Sequence, residues 1–476
     1  MKIVSLVEHL KEATSLPEIA SRLGAAYLEC AGQIDEALED PDAHEEFERL
    51  ETAVAVTPLS LWEEREGGGG LVHVLDHGGL RECIELVEAN MPLEHLAVLR
   101  GLCAKPLREF YEAVETPVLL DRGMPVLLAD RPPLGGSRRS AAEGGERDDS
   151  ERTPHYRTLG NGQALTELPF RLYNRSAGDH VRVELDFRHR AQIDQLTWLN
   201  EKGLPKIATM HPVVDSSTYG IEPIGDSQFF DVTPKCWDLE ETAGQLRRIA
   251  ADGIEVAVLP ELCLPSPDAL EQTLAECPEE FPALVVAGSA HLREPNPSRT
   301  KEIRANESRV YLRGERVAVH RKFHPVKFEE LGGFKFDRKR EEALTREPKT
   351  ITVLAGERTH LAVLICADLN DDRIPEILIS AGINLLLVPS LTPHPGSFNG
   401  AICDVACYSQ GVAAVVNAEL NGADPDREGP FFAMAAVPRS KARSQSEEFR
   451  PDPDAARPAI GVIDLNRPLS AAVSWM

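Results

Sequence analysis

The 476-residue sequence has no apolar run approaching the ~18 residues that a membrane-spanning helix requires. Residues 3–7 are apolar, but Glu8 ends them too soon for a signal peptide. Nine cysteines are scattered along the chain without framework spacing, so a disulfide scaffold is not expected and a reducing, cytoplasmic setting is. Basic residues are in deficit, 51 Lys and Arg against 77 Asp and Glu, for a formal charge of −26. Such a field repels phosphates and anionic surfaces, which argues against nucleic-acid and membrane partners. The glycine tract 67–70 lacks the Lys-Ser/Thr of a phosphate-cradling loop and reads as a flexible connector. Cys403 and Cys407 have no second Cys or His pair elsewhere, and His320 and His324 have no HExxH frame. No metal site is therefore expected.

What is present falls into two parts. Residues 1–130 read as a mostly helical domain: Ser15-Leu16-Pro17-Glu18 has the form of a capping box, and Ile19, Leu23, Ala26 and Leu28 follow as an apolar stripe. SLPEIASRLG resembles the first helix of a helix-turn-helix, but the acidic continuation AAYLECAGQIDEALED favours an ordinary amphipathic helix. Residues 118–128, with Asp121-Arg122-Gly123 in the middle, read as a small hairpin. The Gly-, Pro-, Ser- and charge-rich stretch 131–155 is a flexible linker, and 156–204 a bridging segment with a half-buried strand at 181–187. From 205 to 476 the pattern turns regular. Asp238 caps a helix with Leu239, Ala243, Leu246 and Ile249 on one face and Gly253 at its end. Strands are expected at 207–210, 254–259, 283–289, 360–365, 384–389, 411–417 and 459–465, with a hairpin over 308–322 turning at Arg313-Gly314-Glu315. This alternation predicts a layered α/β domain with two stacked sheets.

Three polar residues stand at the ends of apolar strands: Glu261 after IEVAVLP, Lys322 after RVAVHR and Cys366 after THLAVLI. Taken together they are chemically complete. An ordinary thiol is only about 3% thiolate at neutral pH, so a nucleophilic cysteine needs a base to take its proton or a cation to stabilise its anion. Glu261 can be the base and Lys322 the cation. Lys322 and the backbone N–H of Ala367, just past the sulfur, can also oppose the charge on a tetrahedral intermediate.

PELCLP around Glu261, HRKFHP around Lys322 and LAVLICADLN around Cys366, in that order and 61 and 44 residues apart, resemble the Glu, Lys and Cys motifs of the nitrilase superfamily of carbon-nitrogen hydrolases. INLLLVPS and CYSQGVAAVVNAE resemble later elements of that family, and the likeness covers about 205–466. It implies a four-layer α-β-β-α sandwich, here preceded by the helical domain, and assembly as a homo-oligomer. It also implies hydrolysis of a small amide, carbamoyl group or nitrile through a Cys366 thioester, with Glu261 as general base, Lys322 as oxyanion cation and no cofactor or metal. A second glutamate is implied in the loop after the lysine, where FHPVKFEELGG offers Glu330, with Glu329 as the alternative. The competing expectation is a non-catalytic scaffold that binds a ligand or docks a protein partner through the N-terminal domain.

Overall fold

The structure is a computed structural model. It describes residues 62–67, 70–75, 116–120, 125–127, 170–173, 181–196, 206–211, 219–223, 229–234, 238–264, 266–294, 303–331, 334–342, 344, 349–356, 359–392, 395–409, 411–418, 432–440, 443–450, 460–465, 467 and 469–475. The expected helix from Ser15 and the expected linker 131–155 lie outside the described residues.

The chain divides into two compact units, one of residues 1–130, 158–177 and 380–382 and the other of the remainder. In the first unit, β1 (Trp62–Gly67) and β2 (Gly70–Leu75) form an antiparallel hairpin with Gly67 opposite Gly70. The two ends of the glycine tract, expected as a flexible connector, are thus paired across two antiparallel strands. A short β3 (Val118–Leu119) precedes β4 (Pro125–Leu127), which pairs with β5 (Phe170–Leu172). The hairpin expected over 118–128 is therefore not formed as such; β4 finds its partner some 45 residues onward.

The second unit is α/β. Its strands are β6 (Val181–Asp186), β7 (Lys206–Met210), β8 (Tyr219–Pro223), β9 (Phe229–Pro234), β10 (Val256–Val258), β11 (Leu284–Val286), β12 (Ala290–Glu294), β13 (Ile303–Leu312), β14 (Glu315–Arg321), β15 (Lys327–Leu331) and β16 (Phe334–Glu342). There follow β17 (Lys349–Ala355), β18 (His360–Val363), β19 (Leu385–Ser390), β20 (Val412–Asn417), β21 (Ala433–Ser440), β22 (Arg443–Phe449), β23 (Ile460–Asp464) and β24 (Val473–Trp475). Helices α1 (Leu239–Ala251), α2 (Pro267–Glu276), α3 (Arg373–Ser380) and α4 (Asn399–Tyr408) lie between them. One sheet runs β12-β13-β11-β10-β7-β23-β24, with β14 on β13; a second runs β22-β21-β20-β19-β18-β17-β6; a smaller one runs β15-β16-β9-β8. The segment 156–204, expected as a bridge, thus gives the second sheet a strand, β6, in parallel register with β17.

Alternation along the strands assigns each face. Val256 and Val258 of β10, with Leu284 and Val286 of β11, join an apolar cluster shared with Leu361 and Val363 of β18 and Leu385 and Leu387 of β19. The intervening Ala257 and Val285 point the other way, onto Ala243, Leu246 and Ile249 of α1 and Leu270 and Leu274 of α2. Period two in the strands and period 3.6 in the helices thus meet on one sheet. Asp238 caps α1 as expected, accepting from the N–H groups of Glu240 at 2.8 Å and Glu241 at 3.1 Å. The β13–β14 hairpin turns at Arg313 (φ 50) and Gly314 (φ 79), the two positive φ angles of a type I′ turn.

Gly288 follows β11 with φ 64. A Cβ there meets the Pro260 carbonyl and lies 2.6 Å from Cys263 Sγ. Close approach at Gly288 is therefore what lets the turn carrying Glu261 settle against the end of β11. Gly288→Ala is expected to destabilise the unit by on the order of 3 kcal/mol, adding left-handed strain to a backbone clash; the urea midpoint measures it, and an unchanged midpoint refutes this role.

Candidate active site

Glu261 and Lys322 are each held by a backbone bond from a neighbouring strand. Glu261 follows Pro260 at the end of β10; its N–H donates to the Ser390 carbonyl at 3.3 Å, and the next N–H, of Leu262, donates to Ser289 Oγ at 3.0 Å. Lys322 closes β14, with its N–H on the Asn306 carbonyl at 2.8 Å. Cys366 opens a 3-10 turn, Cys366–Asn370, three residues past the end of β18. Its φ of 46 is left-handed, a conformation that costs a non-glycine residue roughly 1–3 kcal/mol and persists where the surroundings impose it.

Two residues on in the same turn, Asp368 is fully buried. Its Oδ2 accepts the Ile365 N–H at 3.2 Å and faces His320 Nε2 at 2.8 Å. Its Oδ1 accepts the N–H groups of Phe323 at 3.0 Å and His324 at 2.9 Å. One carboxylate therefore ties the residue before Cys366 to the residues on both sides of Lys322.

Lys322 Nζ donates to Glu261 Oε1 at 2.7 Å and to Glu342 Oε2 at 2.7 Å, and all three side chains are 2% exposed or less. Asn306 Nδ2 braces the pair, donating to Glu261 Oε1 and to Glu342 Oε1, each at 2.8 Å. Burial alone lowers the Lys322 pKa, but the two carboxylates outweigh it and hold the ammonium well above its ordinary value. Burial raises Glu342, yet Lys322 and His291 prevail and keep it ionised far below the usual carboxylate range. Glu261 goes the other way: burial, with the Glu342 charge adding to it, lifts its pKa against the pull of Lys322. Two carboxylates on one ammonium are thereby pushed apart, one fixed as an anion and the other able to take a proton.

Cys366 is 2% exposed, with Sγ 3.9 Å from the Leu391 carbonyl. It lies within reach of the charges on Glu261 and Lys322: burial first and the Glu261 carboxylate second raise its pKa, Lys322 opposes them, and the thiol ends at about 12. Of the two ways to activate a cysteine, burial works against a stabilised resting thiolate, and a neighbouring base is the other.

Sequence reading named Glu261, Lys322 and Cys366, and the structure brings Glu261 and Lys322 into direct contact. Ala367 is the next residue of the Cys366 turn. Among the described residues the second carboxylate on Lys322 is Glu342; Glu330 or Glu329 was expected in that role. The expected loop is a hairpin, β15 with β16; Glu330 pairs in register with Lys335, and the returning strand delivers Glu342 to Lys322. The side chains of Glu329 and Glu330 are outside the described residues. Asn306, Asp368 and His291 were also missed, although Asn306 and Ser308 do show as polar residues on the same face of β13 as the buried Val310 and Leu312. Cys403 and Cys407 lie on α4. Among the described residues no group of three or more His, Cys, Asp or Glu is arranged to hold a metal, and no helix is long and apolar enough to cross a membrane.

No family model and no curated protein matches the chain. Among solved structures, an amidase of the nitrilase superfamily from Nesterenkonia AN1, as a mutant, is similar at 17% identity and TM-score 0.34, over 52% of this chain and 87% of that one. Saccharomyces cerevisiae Nit3, a member of branch 10 of the nitrilase superfamily, is similar at 16% and 0.34, over 52% and 90%. A second mutant of the Nesterenkonia amidase, carrying acrylamide added to its active-site cysteine, is similar at 18% and 0.30, over 45% and 78%. Likenesses this distant leave activity and substrate to the chemistry of the residues themselves.

Two outcomes are expected. Asp368→Ala strands two buried N–H groups and a part-buried third, and its unfolding free energy is expected to fall by at least about 3 kcal/mol; a loss under about 1 kcal/mol in urea titration removes Asp368 as the tie. With a thiol pKa of about 12, the far-ultraviolet absorbance difference between the parent protein and Cys366→Ala is expected to show no thiolate below about pH 10. A titration step near neutrality contradicts it.

Proposed function

We propose that the chain is a cysteine-dependent carbon-nitrogen hydrolase of the nitrilase superfamily, acting on a small non-peptide amide, carbamoyl group or nitrile through a thioester on Cys366. The family's four-layer α-β-β-α arrangement is part of this reading. The observation that carries it is the bridging ammonium of Lys322, 2.7 Å from each of two buried carboxylates, in electrostatic reach of a buried thiol. Such an array costs several kcal/mol to bury, and packing alone gives no return for it. The ordered Glu, Lys and Cys motifs supply independent support.

For an amide the steps follow from the charges. Glu261, with its raised affinity for protons, takes the Cys366 proton as Sγ bonds to the carbonyl carbon. Charge moves to the carbonyl oxygen, where Lys322 Nζ and the Ala367 N–H oppose it. When the C–N bond breaks, Glu261 returns the proton to the departing nitrogen and a thioester is left. Water then gives a proton to Glu261 and attacks the same carbon. The tetrahedral adduct expels sulfur, which takes the proton back, and the acid leaves. Glu342 takes no proton in the cycle; it keeps Lys322 charged.

The test is a panel of short amides, nitriles and carbamoyl compounds, read by ammonia release and by intact mass. The parent protein is expected to release ammonia, and Cys366→Ala to release none. Lys322→Met is expected to lose about 10³-fold in kcat, and a brief quench is expected to leave an acyl mass on Cys366. Ammonia release that survives Cys366→Ala, or a panel that yields neither product nor adduct, overturns the assignment in favour of a scaffold.

A further inference from the structure

The buried polar chain does not stop at Glu342. His291 projects from β12 between β9 and β16, its side chain 1% exposed, with Nδ1 2.8 Å from Asp231 Oδ1 and Nε2 2.9 Å from Glu342 Oε1. Asp231, His291, Glu342, Lys322 and Glu261 therefore form one unbroken series ending at the Cys366 thiol.

The donors and acceptors in this series constrain the ring. Glu342 accepts Lys322 and the Val326 N–H on Oε2 and Asn306 on Oε1, and the Lys322 ammonium at 2.7 Å holds it ionised, so the Oε1 that faces His291 at 2.9 Å has no hydrogen to offer. His291 Nε2 must then carry one. At Nδ1 the nearest group is another carboxylate oxygen, and an ionised carboxylate only accepts. The Val232 N–H also points at Nδ1, from 3.1 Å, but a bare nitrogen there sets its lone pair against Asp231 at 2.8 Å. Charge counting agrees. Three ionised carboxylates, Asp231, Glu342 and Glu261, face one ammonium; a charged imidazole brings the buried sum to −1, and a neutral one leaves −2.

We propose that His291 is a positioning residue, held as an imidazolium between Asp231 and Glu342, whose charge keeps Glu342 ionised so that the thiol proton goes to Glu261 alone. Proton transfer from Cys366 to Glu261 leaves the sum at −1, with the charge moved onto sulfur. Without the His291 charge, Glu342 competes for the proton, and a protonated Glu342 no longer holds Lys322 at the oxyanion. The effect on turnover rests on the hydrolase reading above; the protonation state of His291 does not. Direction is consistent with electrostatics: burial lowers the His291 pKa, and the hydrogen bonds and charges of Asp231 and Glu342 raise it above the ordinary value.

Two measurements on the full chain test this separately. In ring-nitrogen NMR, with His291 assigned by its loss in His291→Gln, the parent protein is expected to show both nitrogens protonated above about pH 8, where an ordinary histidine is neutral. Asp231→Asn leaves Glu261, Lys322 and Cys366 in place and is expected to bring His291 to the neutral form at that pH. A neutral His291 in the parent protein at pH 7 overturns the proposal, whether or not any substrate is hydrolysed. An imidazolium without turnover overturns only the hydrolase reading. On a substrate found by the panel above, both variants are expected to lose about 10- to 100-fold in kcat with little change in KM, and the acid limb of kcat is expected to move to higher pH. The sign follows from removing a positive charge beside carboxylates, which raises their pKa and delays the ionisation of the base. A merely structural role lowers the rate with the limb unmoved, and that result also overturns the proposal; Asp231→Asn carries the test if His291→Gln does not fold.

Discussion

A single ammonium between two carboxylates, all sealed from water, is the constraint that the second unit is built to satisfy. Lys322, Glu261 and Glu342 come from three strand ends in two different sheets. Removing any one leaves a buried charge without its partner, which costs far more than the assembled group contributes. The backbone around them reflects this. Gly288 makes room for the Glu261 turn, the Asn306 carbonyl fixes Lys322 while its side chain spans both carboxylates, and β16 pairs with β9 at Glu342. Apolar layers on both sides exclude water and so give these few charges their strength.

The core of the site was legible in the sequence because its parts sit where pattern reading looks. An apolar strand that ends in a charged or reactive residue is a local signal, and Glu261, Lys322 and Cys366 each carry it. So were the cap of α1 and the turn of the β13–β14 hairpin, which depend on residues within a few positions of each other. Glu342 was not legible. It stands in the alternating charged run FKFDRKREE, where nothing local distinguishes one glutamate from the next. Only the length of the β15–β16 hairpin decides which of them returns to Lys322. The partner of β4 was missed for the same reason: 118–128 contains a plausible turn, and a pairing with β5 across a long separation leaves no mark inside either strand.

The resting thiol changes how the site is to be understood. From sequence, either a base or a cation was enough to activate Cys366, with Glu261 offered as the one and Lys322 as the other. Burial tips the balance, because taking sulfur out of water raises the thiol further than one shared ammonium lowers it. Lys322 is already engaged by two carboxylates at 2.7 Å, and its field at the sulfur is offset by Glu261. Its charge becomes fully available only when Glu261 is protonated, which in the proposed reaction is the moment at which an oxyanion forms.

That timing depends on which carboxylate gives up its charge. Glu261 and Glu342 are equally buried and equally close to Nζ, so neither burial nor Lys322 separates them. What differs is the next neighbour. Glu342 has a histidine at 2.9 Å on the side away from the lysine, whereas Glu261 has the thiol. The proposed positive charge beyond one carboxylate and a proton donor beyond the other make the pair unequal in the sense that the proposed reaction needs. The asymmetry is supplied by β12 and β9, two strands that carry none of the motif residues.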